Sequence, residues 1–145
     1  AARDLAEAVR REAEAAGVVC SVETPHAPYP HLVADFTAQA RAHDIVVVDA
    51  EPDTWKVDRG LIEALLTGTG RPLVVVPPER PVFSCRRVLV AWDRSARAAR
   101  AASDALPFLR QAEAVTVLSI HGEKDLPRTV PGADLAHYLA RHGVR

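Results

Sequence analysis

Ile45-Val46-Val47-Val48 is an unbroken run of β-branched side chains that ends on a carboxylate, Asp49. A strand with one wet face alternates apolar and polar residues, so a run without alternation is expected to be covered on both faces, as strands of a parallel sheet are. Residues 18–23, 73–76, 87–92 and 115–120 also read as strands, 73–76 as another buried one. Parallel neighbours cannot be joined by a tight turn, so the chain between them must supply crossover helices.

The intervening segments meet that requirement. Residues 1–16 carry Leu5, Val9, Ala13 and Ala16 in one stripe at helical period, with Gly17 as a natural stop. Residues 31–43 place Leu32, Phe36 and Ala40 four apart, and residues 60–66 carry Leu61, Ile62, Leu65 and Leu66. Residues 95–111 form an Ala-rich helix containing Pro107, where a kink or restart is expected because an interior proline costs ~3 kcal/mol. Residues 133–142 complete the set. Hydrophobic residues make up 48% of the chain but aromatic ones only 5%, so the core must be built from Val, Leu, Ile and Ala, which suits a sheet covered by Ala-rich helices.

The order is α-β-α-β-α-β, a linker, then β-α-β-α, which predicts the doubly wound α/β class with a parallel sheet and right-handed crossovers. The linker interrupts the rhythm: Pro77, Pro78 and Pro81 lie between two apolar strands with no helical period between them. A faint repeat is also present. Asp4-Leu5-Ala6 with Gly17-Val18 is matched by Asp134-Leu135-Ala136 with Gly143-Val144.

Charge excludes two partner classes. With 18 basic and 19 acidic residues and a formal net charge of -1, the chain has no long-range field to attract nucleic acid or an anionic membrane. No apolar run approaches the ~20 residues of a membrane span and no secretory signal opens the chain, so a cytoplasmic protein is expected. Cys20 and Cys85 stand in unrelated contexts without metal-ligand spacing and read as reduced thiols. The absence of Met, and a start inside a helix, point to a chain cut from a longer one.

The segment Ala40-Arg41-Ala42-His43-Asp44-Ile45-Val46-Val47-Val48 resembles the helix-to-fourth-strand segment of the universal stress protein family. Gly70-Arg71-Pro72-Leu73-Val74-Val75-Val76-Pro77 is similar to that family's last strand. Val88-Leu89-Val90-Ala91-Trp92-Asp93-Arg94-Ser95 looks like the first strand and turn of a second copy, and residues 115–120 like its second strand. The resemblance implies a tandem-domain member. Residues 1–78 would be the C-terminal half of a first copy, 79–86 a proline-containing linker and 87–145 the N-terminal half of a second, packed as one compact unit. The family's five-stranded sheet, of adenine-nucleotide alpha-hydrolase-like type with order 3-2-1-4-5, would then be closed by circular permutation or by exchange of halves between two chains. Either way, residues 87–92 are expected beside residues 45–49 in the sheet centre.

In an open parallel sheet, ligands bind beyond the carboxyl ends of the strands where strand order reverses. The resemblance implies an Asp at the end of the first strand and a Gly-x-x-Gly-x9-Gly-Ser/Thr loop after the fourth in members that bind ATP. Asp93 matches the Asp and Ser95 the nearby hydroxyl, with Ala91 beside them. Residues 50–59 hold no glycine, and Asp49, Glu51, Asp53 and Asp58 would repel a triphosphate unless a divalent cation intervened. Gly68-Thr69-Gly70 is the remaining candidate phosphate nest, against the plainer reading of a helix C-cap. For Asp93 and Ser95 the plainer reading is an N-cap. His26, His31, His43 and His121 show no metal spacing and read as solvated or capping residues.

Two functions are therefore expected to compete. One is a stress-response module acting by homodimerisation and protein partner binding without catalysis, its dimer edge at Leu73, Val74, Val75 and Val76, as the resemblance implies. The other is an ATP-binding protein with slow hydrolysis, with ATP and Mg as cofactor, using Ala91, Asp93, Ser95, Gly68, Thr69 and Gly70.

Overall fold

A computed structural model describes residues 2–49, 55–77, 83–119 and 132–145. Its elements run α1 (Ala2–Ala15), α2 (Tyr29–Ala40), β1 (Val46–Asp49), α3 (Trp55–Gly68), β2 (Leu73–Val76), β3 (Arg87–Ala91), α4 (Ala96–Asp104), α5 (Leu106–Leu109), β4 (Ala114–Leu118) and α6 (Ala133–Arg141). This is an α/β protein with parallel strands. Much of linker 79–86, and the acidic residues Glu51 and Asp53, lie outside the described residues, as do Ile120 and His121.

Each helix boundary has a local cause. Pro30 sits in the first turn of α2, where its missing N–H removes nothing from the ladder. The Ser95 hydroxyl accepts the Ala98 amide at 3.0 Å and starts α4. The expected break appears between α4 and α5: Pro107 falls in the first turn of the restarted helix, and Ala105 joins the two. Helix α3 ends at Gly68, and Thr69 folds back so that its amide and its hydroxyl both donate to the Leu65 carbonyl, at 3.2 and 2.7 Å.

The strands form two separate two-stranded parallel sheets. In one, β1 pairs with β2, Val46 opposite Leu73 and Asp49 opposite Val76. In the other, β3 pairs with β4, Arg87 opposite Ala114 and Ala91 opposite Leu118. Among the described strands β1 and β3 are not hydrogen-bonded, so the expected central pairing is not present within this chain. Residues 18–23 form no strand either. Val18 and Val19 are exposed, and an apolar run becomes a strand only where a neighbouring edge accepts its ladder. The stretch is tied instead to α1: the Val18 amide donates to the Ala13 carbonyl at 2.8 Å, and Arg10 donates to the Val22 carbonyl at 3.2 Å.

Most of the buried apolar side chains fall into two clusters, one on each sheet. Ala40 of α2, Val46 and Val48 of β1 and Leu65 of α3 make the first, with Leu61, Ile62 and Leu73 against it. Ala102, Leu109, Leu135, Leu139 and Val144 make the second, packed on Val88, Val90, Val115 and Val117. Each sheet is thus covered on one face. The other face leaves Val47 57% exposed on the first sheet, and Leu89 61% and Leu118 44% on the second, while Val75, opposite Val48 on the covered face, is still 41% exposed. The expected double coverage is therefore corrected: β1, β3 and β4 alternate in burial although β1 does not alternate in polarity.

Helices α2 and α3 approach closely at Gly68, where a Cβ would lie 2.8 Å from the Thr37 methyl. The Thr37 hydroxyl is buried there and has no hydrogen-bond partner among the described residues. Burying such a group costs on the order of 1–3 kcal/mol, so Thr37→Val, which keeps the shape and removes the hydroxyl, is expected to raise stability by about 1 kcal/mol in urea denaturation. A loss of stability would mean that the hydroxyl has a partner.

Candidate functional site

The carboxyl end of β3 carries a polar cluster that joins three elements. The Trp92 amide donates to the Leu118 carbonyl at 2.8 Å, extending the ladder one residue beyond Ala91. The chain then turns sharply. Asp93 accepts the Ser95 amide at 2.8 Å, and Arg94 between them takes a left-handed backbone, φ 62°. Ser95 caps α4. Asp-x-Ser before an Ala-rich helix is a local signal for this turn, because both side chains satisfy amides that the helix start leaves open.

Asp134, in the first turn of α6, completes the cluster. Its carboxylate accepts the Trp92 indole N–H at 3.3 Å and its neighbour's amide, Leu135, at 2.9 Å, and pairs with the Arg94 guanidinium at 3.2 Å. Burial pushes this carboxyl upward, but the Leu135 amide, the Arg94 charge and the indole N–H together outweigh it and hold the group below the ordinary carboxylate value. Asp134 thus joins α6 to the turn after β3. The contact is tightened by Gly132, whose left-handed backbone, φ 77°, brings the start of α6 onto Val117 of β4.

The candidate residues fall at two places. Ala91, Asp93 and Ser95 are contiguous at the carboxyl end of β3, whereas Gly68, Thr69 and Gly70 precede β2 at the amino end of the other sheet. The glycine segment is held by internal bonds. Besides its two donations to Leu65, Thr69 accepts the Arg71 amide at 3.1 Å. Arg41 donates to the Gly68 carbonyl at 3.0 Å, and the Arg71 guanidinium donates twice to the Arg41 carbonyl at 3.0 and 2.7 Å. These bonds make a helix C-terminus that locks α2 to the approach of β2. Residues 73–76 occupy β2, whose second edge is open among the described strands.

Other polar features are spread out. An open groove of about 610 Å³ lies at the amino ends of β3 and β4, lined by Ser84, Arg86, Arg87 and Glu113, with an exposed Arg86–Glu113 ion pair of 2.8 Å. His43 lies 3.0 Å from the Gln39 carbonyl, at the end of α2. Cys20 and Cys85 are free thiols. Among the described residues no group of His, Cys, Asp and Glu could hold a metal ion, and no helix is long and apolar enough to cross a membrane.

Asp134 is the residue of this cluster with no local signal in the sequence. Its partners precede it by about forty positions, and only the packing of α6 on β4 brings them together. No protein-family model, curated protein or solved structure matches the chain.

Proposed function

We propose that this chain is a universal stress protein-like module of the stress response, acting through homodimerisation and binding of a protein partner without catalysis. Its two βαβ units then correspond to half-copies of a five-stranded doubly wound sheet, the C-terminal half of one and the N-terminal half of the next. The turn after β3 carries this reading. Asp93 and Ser95 are engaged in starting α4, and Asp134 with Arg94 closes over the same strand end, which favours a structural turn over a phosphate cradle. The open edge of β2, with Leu73, Val74, Val75 and Val76, supports strand-to-strand dimerisation in a cytoplasmic protein, because an unpaired edge invites a second one.

The second reading, ATP binding with slow hydrolysis, rests on Asp93 and Ser95 at a strand's carboxyl end, where parallel sheets bind ligands. Calorimetric titration of the full chain with ATP and Mg²⁺ separates the two. The dimerising, non-catalytic module is expected to give no heat at millimolar nucleotide. A saturable isotherm that Asp93→Ala abolishes would replace it with the nucleotide binder.

A further inference from the structure

The chain exposes 11475 Å². A folded monomer of 15.7 kDa exposes about 7,300 Å², so about 4,200 Å² remains uncovered. Permanent interfaces bury ~2,000–5,000 Å² in all, so one partner's share fits within that excess.

The described strands show where part of that area lies. Both sheets have two parallel strands, one helix-covered face and one open face, bearing Val47 on the first and Leu89 and Leu118 on the second. Parallel sheets persist when both faces are covered, and two strands alone are marginal. Each unit also leaves its first strand, β1 or β3, with an unpaired edge. Joining two βαβ units at their first strands is the general construction of a doubly wound sheet: the helix layers fall on opposite faces, and each reaches across the open face of the other unit.

The same chain is poorly placed to make that join with itself. Phe83 packs edge-on against Phe108 of α5, with ring centroids 5.7 Å apart, and the Glu113 amide donates to the Arg86 carbonyl at 2.8 Å, so the chain just before β3 is already committed to the helix-covered side of its own unit. Only residues 77–82 remain as tether, three of them proline. From Val76 to Phe83 the chain reaches about 24 Å at most, and about 22 Å in the extended conformation prolines prefer. Descending one strand length, crossing two strands and rising to the helix layer needs about 22 Å, which leaves almost no slack.

We propose that a second copy of this chain supplies the missing half-sheet, by pairing β3 of each copy with β1 of the other. Two composite sheets of order β4-β3-β1-β2 form, each with two strands from each chain, and two-fold symmetry closes the assembly. The pairing is separate from the β2 edge contact proposed above, since β2 stays at the rim of each composite sheet. Leu89 and Val47 pass from open faces to positions beneath the other copy's helices.

Sedimentation equilibrium of the full chain at micromolar concentration tests the arrangement. The expected mass is that of two chains, or of four if β2 edges also pair. Leu89→Lys and Val47→Lys, both at positions exposed in the single chain and so compatible with its folding, are each expected to weaken association at least tenfold and halve the mass. An equimolar mixture of the two variants is expected to recover the larger mass. In that mixture one composite sheet carries both lysines and the other carries neither. Pairing through β2 edges alone, or closure within one chain, gives no such recovery. A wild-type mass of one chain, a mass unchanged by both variants, or a mixture that stays dissociated would each overturn the proposal.

Discussion

Replacing Leu65 by alanine is expected to destabilise the β1–β2 unit by about 2–5 kcal/mol, the range for a buried leucine whose cavity cannot collapse. Leu65 of α3 is fully buried in a cluster with Ala40 of α2 and Val46 and Val48 of β1. The cavity would be walled by a two-stranded sheet and by a helix pair already in close contact at Gly68, so little relaxation is open to it. Its neighbour Leu66 is 60% exposed, and Leu66→Ala is expected to change stability by less than about 0.5 kcal/mol. Chemical denaturation of the two variants reads the difference, and equal losses would contradict the assignment of Leu65 to a packed core.

Gly132→Ala is the second large effect, with two separable sources. A left-handed backbone at φ 77° costs a residue with a Cβ about 1–2 kcal/mol. The new Cβ would also lie 2.9 Å from a Val117 methyl, and relieving such a contact costs about 1–3 kcal/mol more. Shortening Val117 to alanine in the same chain removes the second cost and leaves the first. Thermal unfolding of the two single variants and the double variant is therefore expected to give a favourable coupling of about 1 kcal/mol or more. Strict additivity would show that backbone conformation alone keeps glycine there.

The strands that were legible in the sequence are those whose ladder partner lies one crossover away. Residues 73–76 match β2, and residues 45–49 and 87–92 exceed β1 and β3 by one residue each. Residues 18–23 also read as a strand but have no partner strand among the described residues, and pairing cannot be read from one segment. Helix α3 begins at Trp55, five residues before its apolar stripe, because Trp55-Lys56-Val57-Asp58-Arg59 is polar enough to hide a helical turn from a period count. Burial on one face was hidden for the opposite reason. Val47 and Leu89 are as apolar as their covered neighbours, and nothing local distinguishes a residue awaiting a partner from one that has found it.

At the candidate site, the Asp93 and Ser95 turn was visible because it is made by residues two and three apart. Gly68-Thr69-Gly70 was visible as a helix stop, but its lock to Arg41 and Arg71 depends on how α2 meets α3. Asp134 could be found only through the fold.

The two units share one further measure. Val46 opposite Leu73 and Arg87 opposite Ala114 are both 27 residues apart along the chain. Bringing strand ends together costs an entropy that grows only with the logarithm of the loop between them, so both units close against nearly the same barrier. Their contacts are also local on the scale of the whole chain, which favours quick formation. During synthesis the first unit can therefore assemble as soon as Val76 has emerged, while the second is still unavailable for pairing.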